Sequence, residues 1–315
     1  MKMRFMLALF VGTVLFLGCK KDSEELQEVV DDSIAVSIES LGNEQYKLVA
    51  DNYSLVVDGL NGGKISSLML GSHEFLTGSD IHATNWGATF WASPQSLWGW
   101  PPPSAFDKDS YTMTIEGDKL VATGQVDTKK TNLQFIKTVS FNQNDKAIEL
   151  NFEIVNHNTT AYSVAPWLIT RVPAKGLAFF PVDTATAQTS VKFEIKKGAD
   201  VVWFDFSPDT LKEVKFINNS NEGWIAHYAD NYLFVQKFDD VAADKIAPKE
   251  GDAEVYIAPG KSYVELEPQG EYQSIPSGGS IYWKVILIMK EVESTVNTEC
   301  GSQSLFDLVR GYRDI

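Results

Sequence analysis

The chain has 315 residues, with 27 Lys or Arg against 42 Asp or Glu and a formal charge of −15. Such an acid excess excludes a nucleic-acid binder, whose affinity rests on clustered cations against phosphate. Two cysteines are too few for a disulfide framework or a Cys-rich zinc site, and a hydrophobic share of 44% excludes wholesale disorder.

Residues 1–19 read MKMRFMLALFVGTVLFLGC. Lys2 and Arg4 precede a mostly apolar run from Phe5 to Leu17, the pattern of a secretory signal. The run is shorter than the roughly 20 apolar residues that span a bilayer. Gly18-Cys19 at its end resembles the lipobox of bacterial lipoproteins, although Phe16 stands where Leu is more usual. That resemblance implies a signal peptide at 1–18 and a lipid on Cys19. Two or more chains on such a residue anchor stably, each buried CH₂ adding roughly 0.8 kcal/mol. Cys300 then has no second cysteine to bond with, so no disulfide is expected within the mature chain. Lys20 to Asp32 is charged and aperiodic, so residues 19–33 read as a solvated acidic tether. An acidic stretch beside the lipid-bearing residue also resembles the surface-export signals of some Gram-negative lipoproteins. The expected location is the cell envelope, anchored to the outer membrane.

From about Ile34 to Glu291 the dominant period is two. Strands are predicted at Tyr53–Asp58, Tyr111–Glu116, Lys119–Gln125 and Leu133–Phe141, where β-branched and aromatic residues gather. In Lys146–Ile154, Ile148, Leu150, Phe152 and Ile154 alternate with polar residues, giving one buried and one wet face. Further strands are predicted at Trp224–Tyr228, Leu233–Phe238, Tyr263–Glu267 and Ile281–Met289, the last reading as a central strand covered on both sides. Turn residues separate these runs, and Glu116-Gly117-Asp118 reads as a tight hairpin. Asp239-Asp240 and Glu250 to Asp252 read as solvated acidic loops. The tail, 292–315, carries one short helical pattern at Gln303–Arg313. Many strands without intervening helices predict an all-β protein, a large antiparallel sandwich.

Asn85 to Pro103 reads NWGATFWASPQSLWGWPPP and holds Trp86, Trp91, Trp98 and Trp100, four of the eight tryptophans. The prolines predict a loop-like path. Two uses of these rings stay open: a plug that buries them, or a platform on which the C–H face of a sugar stacks. Covering about 80 Å² of apolar surface would contribute about 2 kcal/mol per stacked ring. Asn85 and Gln95 would then bond sugar hydroxyls.

This segment, with VNHNTTAYSVAPWLITRV (155–172), GWIAHYADNYLFVQKF (223–238) and AEVYIAPGKSYVELEPQG (253–270), resembles an uncharacterised bacterial domain family whose members look like the galactose mutarotase-like supersandwich. The resemblance covers roughly 54–291. It implies an antiparallel sandwich with a carbohydrate groove on one sheet. It also implies a base at Glu267, in YVELEPQG, beside Glu265 on the same strand face. The middle strand that carries a catalytic His in the superfamily enzymes has Trp167 near that place. His227, on the strand of GWIAHY, is the histidine expected to face the groove as a second catalytic candidate. Trp167, Arg171 and Glu265 join the expected ligand-binding residues, with Arg171 either holding an anionic group or orienting Glu267. Neither metal nor other cofactor is expected, and the oligomeric state is left open. Three readings stay open: a lipid-anchored carbohydrate binder, a sugar epimerase, mutarotase or lytic enzyme using Glu267, and a non-catalytic scaffold of the envelope.

Overall fold

Two antiparallel sheets face one another in a computed structural model that describes residues 33–182, 201–206 and 214–313. Cys19 and nearly all of the acidic tether lie outside the described residues. The first sheet runs in spatial order through Val36–Gly42, Gln45–Ala50, Tyr53–Asp58, Lys64–Leu70, Ala88–Ser93, Tyr162–Val172, Val264–Pro268, Ala253–Ile257 and Val214–Asn218. Two short strands, His73–Glu74 and Gln273–Ile275, pair at its side. The second sheet runs Val201–Asp205, Leu177–Pro181, Trp224–Ala229, Tyr232–Lys237, Ser280–Glu291, Ala147–Asn156, Leu133–Asn142, Lys119–Thr123 and Thr112–Glu116.

The expected sandwich is therefore the fold. Period-two patterning is what builds it: alternate side chains of each strand meet between the sheets. Phe90 of the first sheet stacks on Phe152 of the second, with ring centroids 4.1 Å apart, and meets Phe135 edge-on at 4.9 Å. Phe180 and Phe204 pack on Phe216 across the same gap. Two polar donors that enter the gap are paired there. The Gln236 amide donates to Thr170 Oγ1 at 2.7 Å, and the Tyr53 hydroxyl donates to the Met289 carbonyl. The hairpin at Gly117 has Glu116 opposite Lys119, with Gly117 in the left-handed conformation such a two-residue turn requires. Ser280–Glu291 lies in the interior of its sheet, between Tyr232–Lys237 and Ala147–Asn156.

The structure differs from the sequence reading in two places. Ala88–Ser93 is a fully buried strand inside the first sheet, not a loop. Tyr162–Val172 pairs with it from Ala88 to Ser93, Ala88 also stands opposite Ile65 on the other side, and the ladder ends at Ser93. Glu250 to Asp252 is not a solvated loop: Asp252 is buried and accepts from the Ser220 N–H, the Ser220 hydroxyl and the Val241 N–H. The tail helix, Gln303–Arg313, is present and closes on the core through Leu305, Phe306 and Val309, with Phe306 5.6 Å from the Trp224 ring.

Candidate functional site

The same alternation that sends Phe90, Leu168, Leu266, Val255 and Phe216 between the sheets turns the intervening side chains to the outer face of the first sheet. Five neighbouring strands thereby present Trp91, Trp167, Glu265 with Glu267, Tyr256, and Lys215 to one open cleft. Asn85, Gln95, Trp100 and Tyr263 complete its wall, around about 240 Å³ of free space.

Aromatic rings make one side. Trp91 and Trp167 are opposite one another in register and meet edge-to-face at 5.6 Å. Trp98 and Trp100 pack edge-on against Trp91 at 5.6 and 6.2 Å. Their exposures differ sharply. Trp98 is only 5% exposed, its indole N–H donating to the Ala92 carbonyl at 2.7 Å, whereas Trp100 is 61% exposed. Within the segment, Trp98 is thus buried as a plug, while Trp100 keeps an open face. Lys130 holds the turn between them by donating to the carbonyls of Trp98 and Pro101. Trp91 is fixed from below, since its N–H donates to Asp107, a buried carboxylate that also accepts from Thr89 and pairs with Lys64.

Charged groups make the floor. Lys215 lies between Glu254, at 2.6 Å, and Glu267, at 2.9 Å, and its ammonium stands 4.5 Å from the Trp167 ring centroid. Burial works against the Lys215 cation, but Glu254 and Glu267 outweigh it and raise its pKa. Burial raises the Glu254 carboxyl, with Glu267 and Glu250 adding to the effect and Lys215 opposing it. Burial likewise outweighs Arg171 and, with Glu267, pushes the Glu265 carboxyl up to about 7. Glu250 is raised by burial too, and its carboxylate accepts from the Gln95 N–H at 3.0 Å. Four carboxylates thus share two cations, Arg171 and Lys215, and burial holds the Glu254 and Glu265 carboxyls above the ordinary carboxylate range. Two buried atoms on cleft residues have no hydrogen-bond partner among the described residues: Glu267 Oε1, an acceptor, and Trp167 Nε1, a donor.

Of the residues expected from sequence, Asn85, Trp91, Gln95, Trp100, Trp167, Glu265 and Glu267 line this cleft. Asn85 is set by donating to the Tyr263 hydroxyl at 2.9 Å and by its own N–H donating to His82 Nδ1. Trp86 does not line it; the ring is half-buried, with the Lys64 ammonium 5.0 Å from its centroid. Arg171 is sealed beneath the cleft at 1% exposure, and it pairs with Glu265 at 2.8 Å rather than with Glu267. It therefore presents no face to an anion. His227 lies on the other sheet, buried, with its Nε2–H donating to the Lys175 carbonyl at 3.0 Å. Burial lowers its pKa to about 4, so it is neutral at pH 7, and the charges acting on it are Lys175 and Asp230. The expectation that His227 faces the groove is thus corrected.

Lys215, Tyr256, Tyr263 and Glu254 escaped the sequence reading. A signal was present: in AEVYI, Glu254 and Tyr256 alternate with Val255 and Ile257, and Lys215 precedes Phe216 in the same manner. Alternation shows which face such residues take. It does not show that strands 214–218 and 264–268 flank one another through 253–257, which is what joins Lys215 to Glu267.

The model of a family described as Domain of unknown function (DUF4380) matches residues 94–284. None of the curated proteins is similar to the chain in sequence. Solved structures share the fold at low identity. A galactose mutarotase-like protein from Clostridium acetobutylicum superposes with a TM-score of 0.54 at 8% identity, over 82% of this chain and 99% of that one. A galactose mutarotase-like protein from Lactobacillus casei gives 0.55 at 10%, over 81% and 100%. A TPR-domain containing protein from Parabacteroides distasonis gives 0.60 at 13% over 83% of this chain; the match takes in 54% of that protein, so the chain spans about half its length. The fold is the galactose mutarotase-like sandwich.

Proposed function

The chain belongs to the DUF4380 family of domains of unknown function, and on that premise we propose that its outer-face cleft binds a carbohydrate ring. The observation that carries this reading is the pairing of an open Trp100 face with a floor of carboxylates and an ammonium. A sugar has an apolar C–H face and a polar rim, so it needs both surfaces at once. Solved proteins of this fold that are described as galactose mutarotase-like add support. The test is a titration followed by intrinsic tryptophan fluorescence and by calorimetry across mono- and oligosaccharides. Saturable binding of at least one sugar is expected; a flat response to the whole panel overturns the reading.

A second reading is favoured by the unequal carboxyls of the Val264–Pro268 strand. Mutarotation needs a base to take the anomeric O–H proton and an acid to protonate the ring oxygen, after which the opened sugar recloses on either face. Glu267 would be the base and the Glu265 carboxyl, raised by burial, would be the acid, since the described lining residues include no histidine. Polarimetry of a freshly dissolved bound sugar should show faster anomer exchange than buffer alone. Glu267→Gln should remove the difference, and a wild-type rate equal to buffer ends this reading.

The body is proposed to sit in the envelope of a Gram-negative cell, held to the outer membrane through a lipid on Cys19. Fatty-acid labelling and membrane fractionation test it: Cys19→Ala should lose the label and leave a soluble protein or an uncleaved precursor. Labelling that persists in this variant rules out Cys19.

A further inference from the structure

Resting on the carbohydrate reading, we infer that the cleft prefers a sugar bearing a cationic amino group over its neutral parent and turns away uronic and phosphorylated sugars. Three observations carry this.

The first is the disposition of charge. Glu265 and Glu267 line the cleft, with Glu254 and Glu250 next to them. Among the described lining residues the cation is Lys215, and it is already held between Glu254 and Glu267. Arg171 is committed to Glu265 and to the Trp86 carbonyl beneath the surface. An entering carboxylate or phosphate therefore meets like charges and no uncommitted cation, while an entering ammonium meets more carboxyl groups than cations.

The second is the pair of unpartnered buried atoms. Glu267 Oε1 requires a donor, and an ammonium supplies it in a charge-assisted bond. Trp167 Nε1 requires an acceptor, which a hydroxyl or ring oxygen of the same sugar supplies. A uronate could satisfy the indole alone, at the cost of repulsion at Glu267.

The third is the aromatic wall. Indole faces carry negative quadrupole charge and attract cations. Those of Trp91 and Trp167 already have Arg171 and Lys215 over them, at 5.7 and 4.5 Å from the ring centroids. Trp100 keeps an open surface on the same cleft. Burial also holds the Glu265 carboxyl up at about 7, and a cation nearby would favour its ionised form, so binding should release protons.

The experiment is calorimetry with glucosamine, glucose and glucuronate, and with the galacto series, at pH 7 and constant ionic strength. Ethanolamine serves as the control for attraction of any small amine to an acidic protein. The amino sugars should bind about tenfold more tightly than their neutral parents, uronates should not bind measurably, and ethanolamine should bind far more weakly than the amino sugars. Glu267→Gln should bring the ratio of amino-sugar to neutral-sugar affinity close to one. Should that variant fail to fold, the wild type still decides. Amino-sugar binding should release protons, read from the dependence of the heat on the ionisation enthalpy of the buffer, and neutral-sugar binding should release fewer. Equal affinities, tighter uronates, amino sugars matched by ethanolamine, or no proton release overturn the inference and leave carbohydrate binding standing. Silence from every sugar overturns both.

Discussion

Arg171 and Glu265 stand opposite one another in register on adjacent strands and form a 2.8 Å ion pair almost closed to water. The pair is a foundation of the cleft: Glu265 forms floor, while the guanidinium lies 5.7 Å from the Trp91 ring and 5.9 Å from the Tyr263 ring. Removing one member of such a pair leaves an uncompensated buried charge, which costs about 3–5 kcal/mol. Arg171→Met should therefore destabilise the fold by about that amount in denaturant unfolding. Arg171→Met combined with Glu265→Leu should recover much of it. A double variant no more stable than the single one would show that the loss came from packing and not from the orphaned carboxylate.

Trp98 and Trp100 sit two residues apart and should respond in opposite ways. Trp98 is buried with its N–H bonded, so Trp98→Ala leaves a cavity and should cost about 3–5 kcal/mol of stability. Trp100 is mostly exposed, so Trp100→Ala should change stability by about 0.5 kcal/mol or less. If a sugar stacks on it, the same substitution should weaken binding by about 2 kcal/mol, close to 30-fold. Thermal unfolding and titration of both variants check this; unchanged binding in Trp100→Ala would remove that ring from the site.

The sandwich was legible because alternation is a local property. Lys146–Ile154 shows its buried face residue by residue, and Ala147–Asn156 has the buried face so marked. The site was half legible for the same reason. Glu265 and Glu267 share a face by spacing alone, and they do line the cleft. What alternation cannot carry is strand order. His227 also lies on an alternating strand, but that strand belongs to the second sheet, so its side chain is spent on a backbone carbonyl in the interior. The Trp-rich segment misled for another reason. Its prolines suggested a loop, yet Pro94 only ends the strand that places Trp91, and Pro101 to Pro103 lie beyond the turn that exposes Trp100.

His227→Phe gives a direct check of that assignment. With its ring on the second sheet, it should leave any sugar affinity unchanged within error while lowering stability by about 1–3 kcal/mol, because the Lys175 carbonyl loses its donor. Loss of binding in a variant that unfolds at the wild-type midpoint would bring His227 back to the site.

Lys137 provides a pH signature of the fold that is separate from the cleft. Its ammonium is buried, donates to the carbonyls of Gly62 at 2.6 Å and Gly63 at 3.3 Å, and lies 4.7 Å from the Tyr111 ring centroid. Burial pushes its pKa down to about 7, with Asp107 opposing and Lys64 reinforcing the shift. An unfolded lysine keeps its proton to about 10.4. Below pH 7 both states are protonated and Lys137 adds no pH dependence. Between about 7 and 10 the unfolded state holds the extra proton, so the Lys137 contribution to stability rises with pH, by at most about 1.4 kcal/mol per unit. Lys137→Met removes this. Denaturant unfolding of both proteins at pH 6, 7.5 and 9 should show the variant gaining most relative to wild type at pH 6 and losing that relative gain by pH 9. A difference that stays constant across the three pH values would mean that Lys137 is protonated in the fold throughout.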